Sequence, residues 1–316
     1  MAIARRAGGV TRRFRFISVT VGHLYVAMQL TFVVSAGAVV NAEIDPNTAH
    51  SVWAGVGSIS VGGGTYSGAL VAPDLVLTSA HALAGADPDD VSFNLNFGGD
   101  LTHRIEVAAI LVKPGYPGFR GIKPGGEHDI ALVRLKWPAP PGVPVYGLFT
   151  NELPRGAILS FVGYGGSGNG DTGVSIGGNP AVKRLGQNVA DCFAFTLGPD
   201  NCGLTPLIGV GPRALYLFDF DRPDGSSGPM GGSTLGVTEA TLAGGDSGSP
   251  AFVQISGQWR IAGVNTFVSN PDPKGKPGKY GSVGGGVLLA GENGEWVRAV
   301  IGPSLPRRTE VGPSSR

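Results

Sequence analysis

Three short segments of this chain carry side chains that together could do nucleophilic chemistry. Gly245-Asp246-Ser247-Gly248-Ser249-Pro250 offers a hydroxyl between glycines, and Thr78-Ser79-Ala80-His81-Ala82 offers an imidazole behind an apolar run. His128-Asp129-Ile130-Ala131-Leu132-Val133-Arg134-Leu135 offers a carboxylate at the head of another. A serine hydroxyl attacks poorly at neutral pH unless an imidazole takes its proton, and a carboxylate must hold that ring in one tautomer. Ser247 is therefore the expected nucleophile, His81 the base and later the acid, and Asp129 the residue that orients the base. Flanking glycines permit the tight turn that would aim the N–H groups of Gly245 and Ser247 at one developing oxyanion.

Each assignment has a competitor. His50, His103 and His128 are the other histidines outside the N-terminal segment. His128 adjoins Asp129, but neighbours on an extended strand point to opposite sides, so His128 is read as a structural or surface residue. A buried carboxylate at position 129 needs a hydrogen-bond donor, and an imidazole N–H is a suitable one.

The elements that must position these residues are short strands. Fifty-four glycines, twenty-four prolines and 15% charged residues in 316 suggest many strands joined by turns. The chain is long enough for one large or two small cores. Runs such as Ala69-Leu70-Val71 and Leu75-Val76-Leu77, bounded by Pro or Gly, read as strands. No heptad, solenoid repeat, Rossmann or P-loop fingerprint is present.

Residues 1–42 read as a targeting segment outside the fold. Arg5, Arg6, Arg12, Arg13 and Arg15 precede an apolar stretch from Ile17 to Val40 that ends in small residues, with Ala42 as the expected cleavage position. An uncleaved signal anchor is the other reading, because the stretch approaches bilayer-spanning length. Export by this N-terminal signal to the exterior or the periplasm is expected. Removal takes the formal charge from +1 to about −4. A weakly acidic protein has no electrostatic footprint for nucleic acid. Cys192 and Cys202 either pair in the oxidising exterior or remain two thiols.

The order His, Asp, Ser and the three motifs resemble the trypsin/chymotrypsin family of serine endopeptidases. Ser67–Val71 with Val76–Ala80 resembles the strand pair that delivers the family's histidine. Phe161–Gly165 resembles the strand opening its second barrel, Ile261–Val264 the strand past the nucleophile, and Glu295–Ile301 its closing helix. The resemblance spans about Trp53 to Ile301. It implies an all-β fold of two antiparallel six-stranded Greek-key barrels with a C-terminal helix. The first barrel would span 43–150, and the second, with its helix, 151–302. Residues 303–316 read as a polar tail.

Further expectations come from the resemblance. Ala82 and Ala243 stand where relatives often carry cysteines, so those two bridges are absent. Thr241 falls where trypsins keep a carboxylate, and Thr266 and Val268 fall at the pocket edge, so Lys/Arg preference is not expected. Asp246 occupies the position that receives a new amino terminus in relatives. Either cleavage after Glu43 frees Ile44 for that role, or another group holds Asp246. Gly165–Pro180 and Asp219–Gly232 read as surface insertions. Asp219, Asp221 and Asp224 read as a solvated acidic loop, with calcium as the alternative. The expected activity is peptide-bond hydrolysis through an acyl-enzyme, with no cofactor and no metal. The partner is a protein or peptide substrate, with no nucleic acid and no stable membrane association after leader removal, and the protein is expected to be a monomer. A non-catalytic binding module and an esterase using the same triad are the alternatives.

Overall fold

The computed structural model describes residues 39–96, 103–120, 126–194, 214–226, 228–231 and 233–302. Residues 1–38, the 303–316 tail and Cys202 lie outside them.

A two-residue strand β1 (Glu43–Ile44) comes first, followed by β2 (Val56–Val61), β3 (Gly64–Ala72), β4 (Leu75–Thr78), β5 (Ser92–Leu95), β6 (His103–Val112) and β7 (Ala131–Leu135). Strands β2 to β7 close into a barrel in the order β2-β3-β4-β7-β6-β5. Ile59, Leu70, Val76, Phe93 and Val133 fill it. Closure leaves no unpaired sheet edge among these six strands. Residues 67–71 of β3 and all of β4 are buried on both faces, because one face lines the barrel and the other meets the second sheet.

The second half carries β8 (Gly147–Leu148), β9 (Ile158–Gly163), β10 (Ser167–Asn169), β11 (Gly173–Ile176), β12 (Arg184–Val189), β13 (Cys192–Ala194), β14 (Leu215–Asp219), β15 (Pro250–Ile255), β16 (Gln258–Ser269) and β17 (Val283–Leu288). They form a nine-stranded sheet along β1-β12-β9-β15-β16-β17-β14-β13, with β8 alongside β16, and a separate β10–β11 hairpin. The sheet thus has more strands than the expected six. Both β1 and β8 lie before residue 151 yet pair with it, so the halves interleave rather than divide at 150. A shared core of Trp53, Leu75, Leu132, Val162, Phe252 and Val264 joins the two.

Helix α1 (Glu292–Ile301) starts three residues before the expected closing helix. Glu292 and Glu295 in its first turn and Arg298 in its last suit the helix dipole, and Gly302 caps it at φ 77°.

Residues 39–42, inside the segment read as a leader, belong to the described fold. Val39 and Val40 are fully buried, and Val40 exchanges backbone hydrogen bonds with Thr241. The folded body therefore includes residues from 39 onward.

Candidate active site

His81 follows β4 on a turn closed by Ala84 N–H to the Ala80 carbonyl at 2.8 Å. Asp129 immediately precedes the pair Ile130 and β7, and β7 is the neighbour of β4 in the barrel. Strand pairing thus brings two residues 48 apart in sequence together. One Asp129 oxygen accepts the His81 backbone N–H at 2.8 Å, and the other lies 2.7 Å from His81 Nδ1. An ionised carboxylate only accepts, so the contact suits a proton on Nδ1; in a neutral ring that leaves Nε2 to act as a base. Asp129 is buried, while His81 keeps partial access to solvent.

Tyr116 and Phe119 lie beside this dyad. Phe119, half exposed, stacks its ring 4.8 Å from the His81 ring. Burial and the Asp129 charge push the Tyr116 phenol up to about 12. His128 turns away: its Nδ1 lies 3.5 Å from Glu292 at the start of α1.

Ser247 sits on a loop pressed against the end of β4. A side chain on Gly248 would meet Thr78 Oγ1 at 2.0 Å and the Ser79 backbone nitrogen at 2.9 Å, and Gly248 has φ 83°. Only glycine lets the nucleophile loop lie this close to the strand that delivers His81.

The same loop presents two amides. Gly166 N–H donates to the Gly244 carbonyl at 2.8 Å, and Ser249 N–H donates to the Asp246 carbonyl at 2.9 Å. In a trans peptide the N–H points opposite its carbonyl, so these two bonds also set the directions of Gly245 N–H and Ser247 N–H. Asp246 and Gly248 N–H groups are engaged by the Ala243 and Asn265 carbonyls. Among the described residues, Gly245 and Ser247 N–H donate to no protein acceptor.

Asp246 is buried beneath them. Its carboxylate accepts N–H from Gly165 and Ala243, each at 2.9 Å, and the Val39 N–H nearby also lowers its pKa. Burial still raises its pKa to about 7 against those bonds and the Arg184 charge. Ile44 does not reach it; that residue lies on β1 opposite Arg184 and is 44% exposed.

A cavity of about 200 Å³ opens beside Ser247, lined by Leu242, Ala243, Gly244, Thr266, Phe267 and Val268, with Asp246 completing the wall. Thr266 and Val268 line this cavity, and Thr241 does not: it is fully buried and bridges Val40, while its neighbour Leu242 faces the cavity. Consecutive extended residues point to opposite sides, which takes Thr241 underneath.

Asp219 and Asp221 depart from the expected solvated acidic loop, while Asp224 is exposed. Asp219 and Asp221 are buried, together with Asp191 and Glu239. Asp219 N–H donates to Asp191 at 3.1 Å, and Asp221 N–H donates to Glu239 at 2.6 Å. Burial, with Asp219 alongside, pushes Asp191 up to about 8 and Asp221 up to about 6. Among the described residues, no three His, Cys, Asp or Glu side chains gather as a metal site.

A family model described as Trypsin matches residues 9–179, more than half of the chain. The chain belongs to the trypsin family. Its match takes in His81 and Asp129, and Ser247 lies beyond it. Trypsin-family membership makes this a trypsin-like serine protease domain, all-β with a C-terminal helix.

Two residues were not singled out by the sequence. Val39 lay inside the expected leader. Ser67 was read only as the start of a strand, and no local pattern marks its long-range bonds.

Proposed function

We propose that this trypsin-family chain is an exported serine endopeptidase acting through His81, Asp129 and Ser247. The observation that carries the reading is the double grip of Asp129 on His81, through its backbone and its Nδ1, which leaves Nε2 as a base. As Ser247 Oγ adds to the scissile carbonyl, Nε2 takes the hydroxyl proton. The tetrahedral oxyanion accepts N–H from Gly245 and Ser247; each such donor contributes roughly 3–4 kcal/mol. Collapse expels the amine, to which His81 returns the proton, and leaves an ester on Ser247. Water then attacks that ester with His81 again as base, releasing the acid and restoring Ser247.

The cavity beside Ser247 is small and apolar, and the Asp246 carboxylate on its wall is committed to backbone amides. A small or aliphatic side chain before the scissile bond fits it, whereas Lys or Arg would find no free countercharge.

A maturation cut between Ala38 and Val39 is favoured in this reading over one after Ala42 or Glu43. Ala36-Gly37-Ala38 has the small-x-small character of a leader-peptidase site. Val39 is a buried β-branched residue at φ 58°, a strained conformation that cutting the preceding peptide would release. Its N–H already lowers the Asp246 pKa, so removal of the leader would place an ammonium beside a carboxylate otherwise served only by dipoles and Arg184.

Fluorophosphonate labelling of the secreted protein tests the reading. Native protein is expected to label and to cleave a peptide library, while Ser247→Ala and His81→Ala do neither. A folded, mature native protein that stays unlabelled would overturn it. Turnover of simple esters with no peptide cleavage would replace it with an esterase.

A further inference from the structure

Ser67 lies on β3 of the first barrel, fully buried, and touches the nucleophile loop of the second sheet twice. Its backbone N–H donates to the Ser247 carbonyl at 3.0 Å, and its hydroxyl donates to the Gly245 carbonyl at 2.9 Å. That hydroxyl also accepts the Tyr164 N–H at 2.9 Å, and the Ser67 carbonyl accepts the Thr78 hydroxyl at 2.8 Å. Thr78 is the last residue of β4, three before His81. One residue therefore couples the strand that delivers the imidazole to the loop that carries the hydroxyl.

We infer that Ser67 is a positioning residue for the oxyanion loop, an inference that rests on the triad reading above. Three successive peptides of the loop have their carbonyls pinned: Gly244 by Gly166 N–H, Gly245 by the Ser67 hydroxyl, and Asp246 by Ser249 N–H. Of these donors only Ser67 is a side chain. It holds the residue most able to swing, since Gly245 has φ 101° and no Cβ to restrict it. Tyr164 and Gly165, consecutive in sequence, send their N–H groups to Ser67 and Asp246. The loop is thus gripped from both sides by one short segment. Without the hydroxyl, the Gly245–Asp246 peptide keeps only the Asp246 N–H bond to the Ala243 carbonyl, and Gly245 gains freedom to rotate at the joint between the two peptides that aim the oxyanion donors. A displaced donor costs rate without costing ground-state binding.

The test compares native, Ser67→Ala and Ser67→Cys proteins by hydrogen exchange of the 243–249 segment and by the rate of fluorophosphonate labelling at Ser247. In Ser67→Ala, exchange in that segment is expected to quicken about tenfold or more while β5 and β6 keep their protection. Labelling and kcat are expected to slow about tenfold or more, with KM within about twofold. Ser67→Cys, which keeps the volume and a weak donor, should fall between; if Ser67→Ala does not fold, it supplies the same comparison. Exchange does not depend on catalysis, so unlabelled native protein would count against the triad reading and leave Ser67 to be decided by exchange. Unchanged exchange at 243–249, or protection lost throughout both halves, overturns the inference.

Discussion

The backbone N–H of Val39 faces the buried carboxylate of Asp246 closely enough to lower its pKa. The two residues are 207 positions apart in a sequence that shows no sign of their meeting. N-terminal sequencing of the secreted protein is expected to begin at Val39. Ala38→Asp, which spoils the cleavage site, should leave longer protein that labels slowly with fluorophosphonate. A mature chain that begins at Ala42 or later and labels fully would refute this maturation step.

Asp129→Asn keeps the shape of the dyad but places an amide where the carboxylate held Nδ1–H. It should lower kcat by about 10⁴-fold with little change in KM. Steady-state kinetics on a peptide ester would read both. A loss below tenfold would mean that Asp129 does not set the tautomer.

Gly165 has no room for a side chain: a Cβ there would lie 2.5 Å from Asp246 Cγ. Gly165→Ala should destabilise the fold by about 1–3 kcal/mol. It should slow labelling more than a matched destabilising substitution in the first barrel does. Denaturant titration and labelling rates on both variants make the comparison.

Stability should fall as pH rises from about 4 to 8. Asp191 and Asp221 ionise near pH 4 in the unfolded chain but near 8 and 6 when folded. The folded state thus binds more protons in this window. Its advantage is complete below pH 4 and is lost as pH passes the folded values. Asp191→Asn should flatten the decline in melting temperature and raise it at pH 8. An unchanged pH profile in the variant would argue against the buried pair.

Val268→Gly should enlarge the cavity beside Ser247 and shift cleavage towards larger side chains before the scissile bond. Peptide-library profiling reads this directly. An unaltered profile would remove Val268 from the pocket.

The sequence by itself determined the family, the order of the three motifs and the all-β class. These are local signals: a glycine-flanked serine, a histidine after an apolar run, and an aspartate heading a strand. Strand β7 and the start of the nucleophile loop were legible for that reason. Only the tertiary structure decided that Thr241 passes beneath the cavity while Leu242 lines it, because a one-residue shift reverses which side a residue faces. Only the structure gave Val39 to the fold, since an apolar residue at the end of a leader looks the same whether it is removed or buried. It also turned Asp219 and Asp221 inward towards Asp191 and Glu239, and joined Ser67 to Gly245 across 178 residues. Such bonds depend on strand order and barrel packing, which bring together positions that share no local pattern.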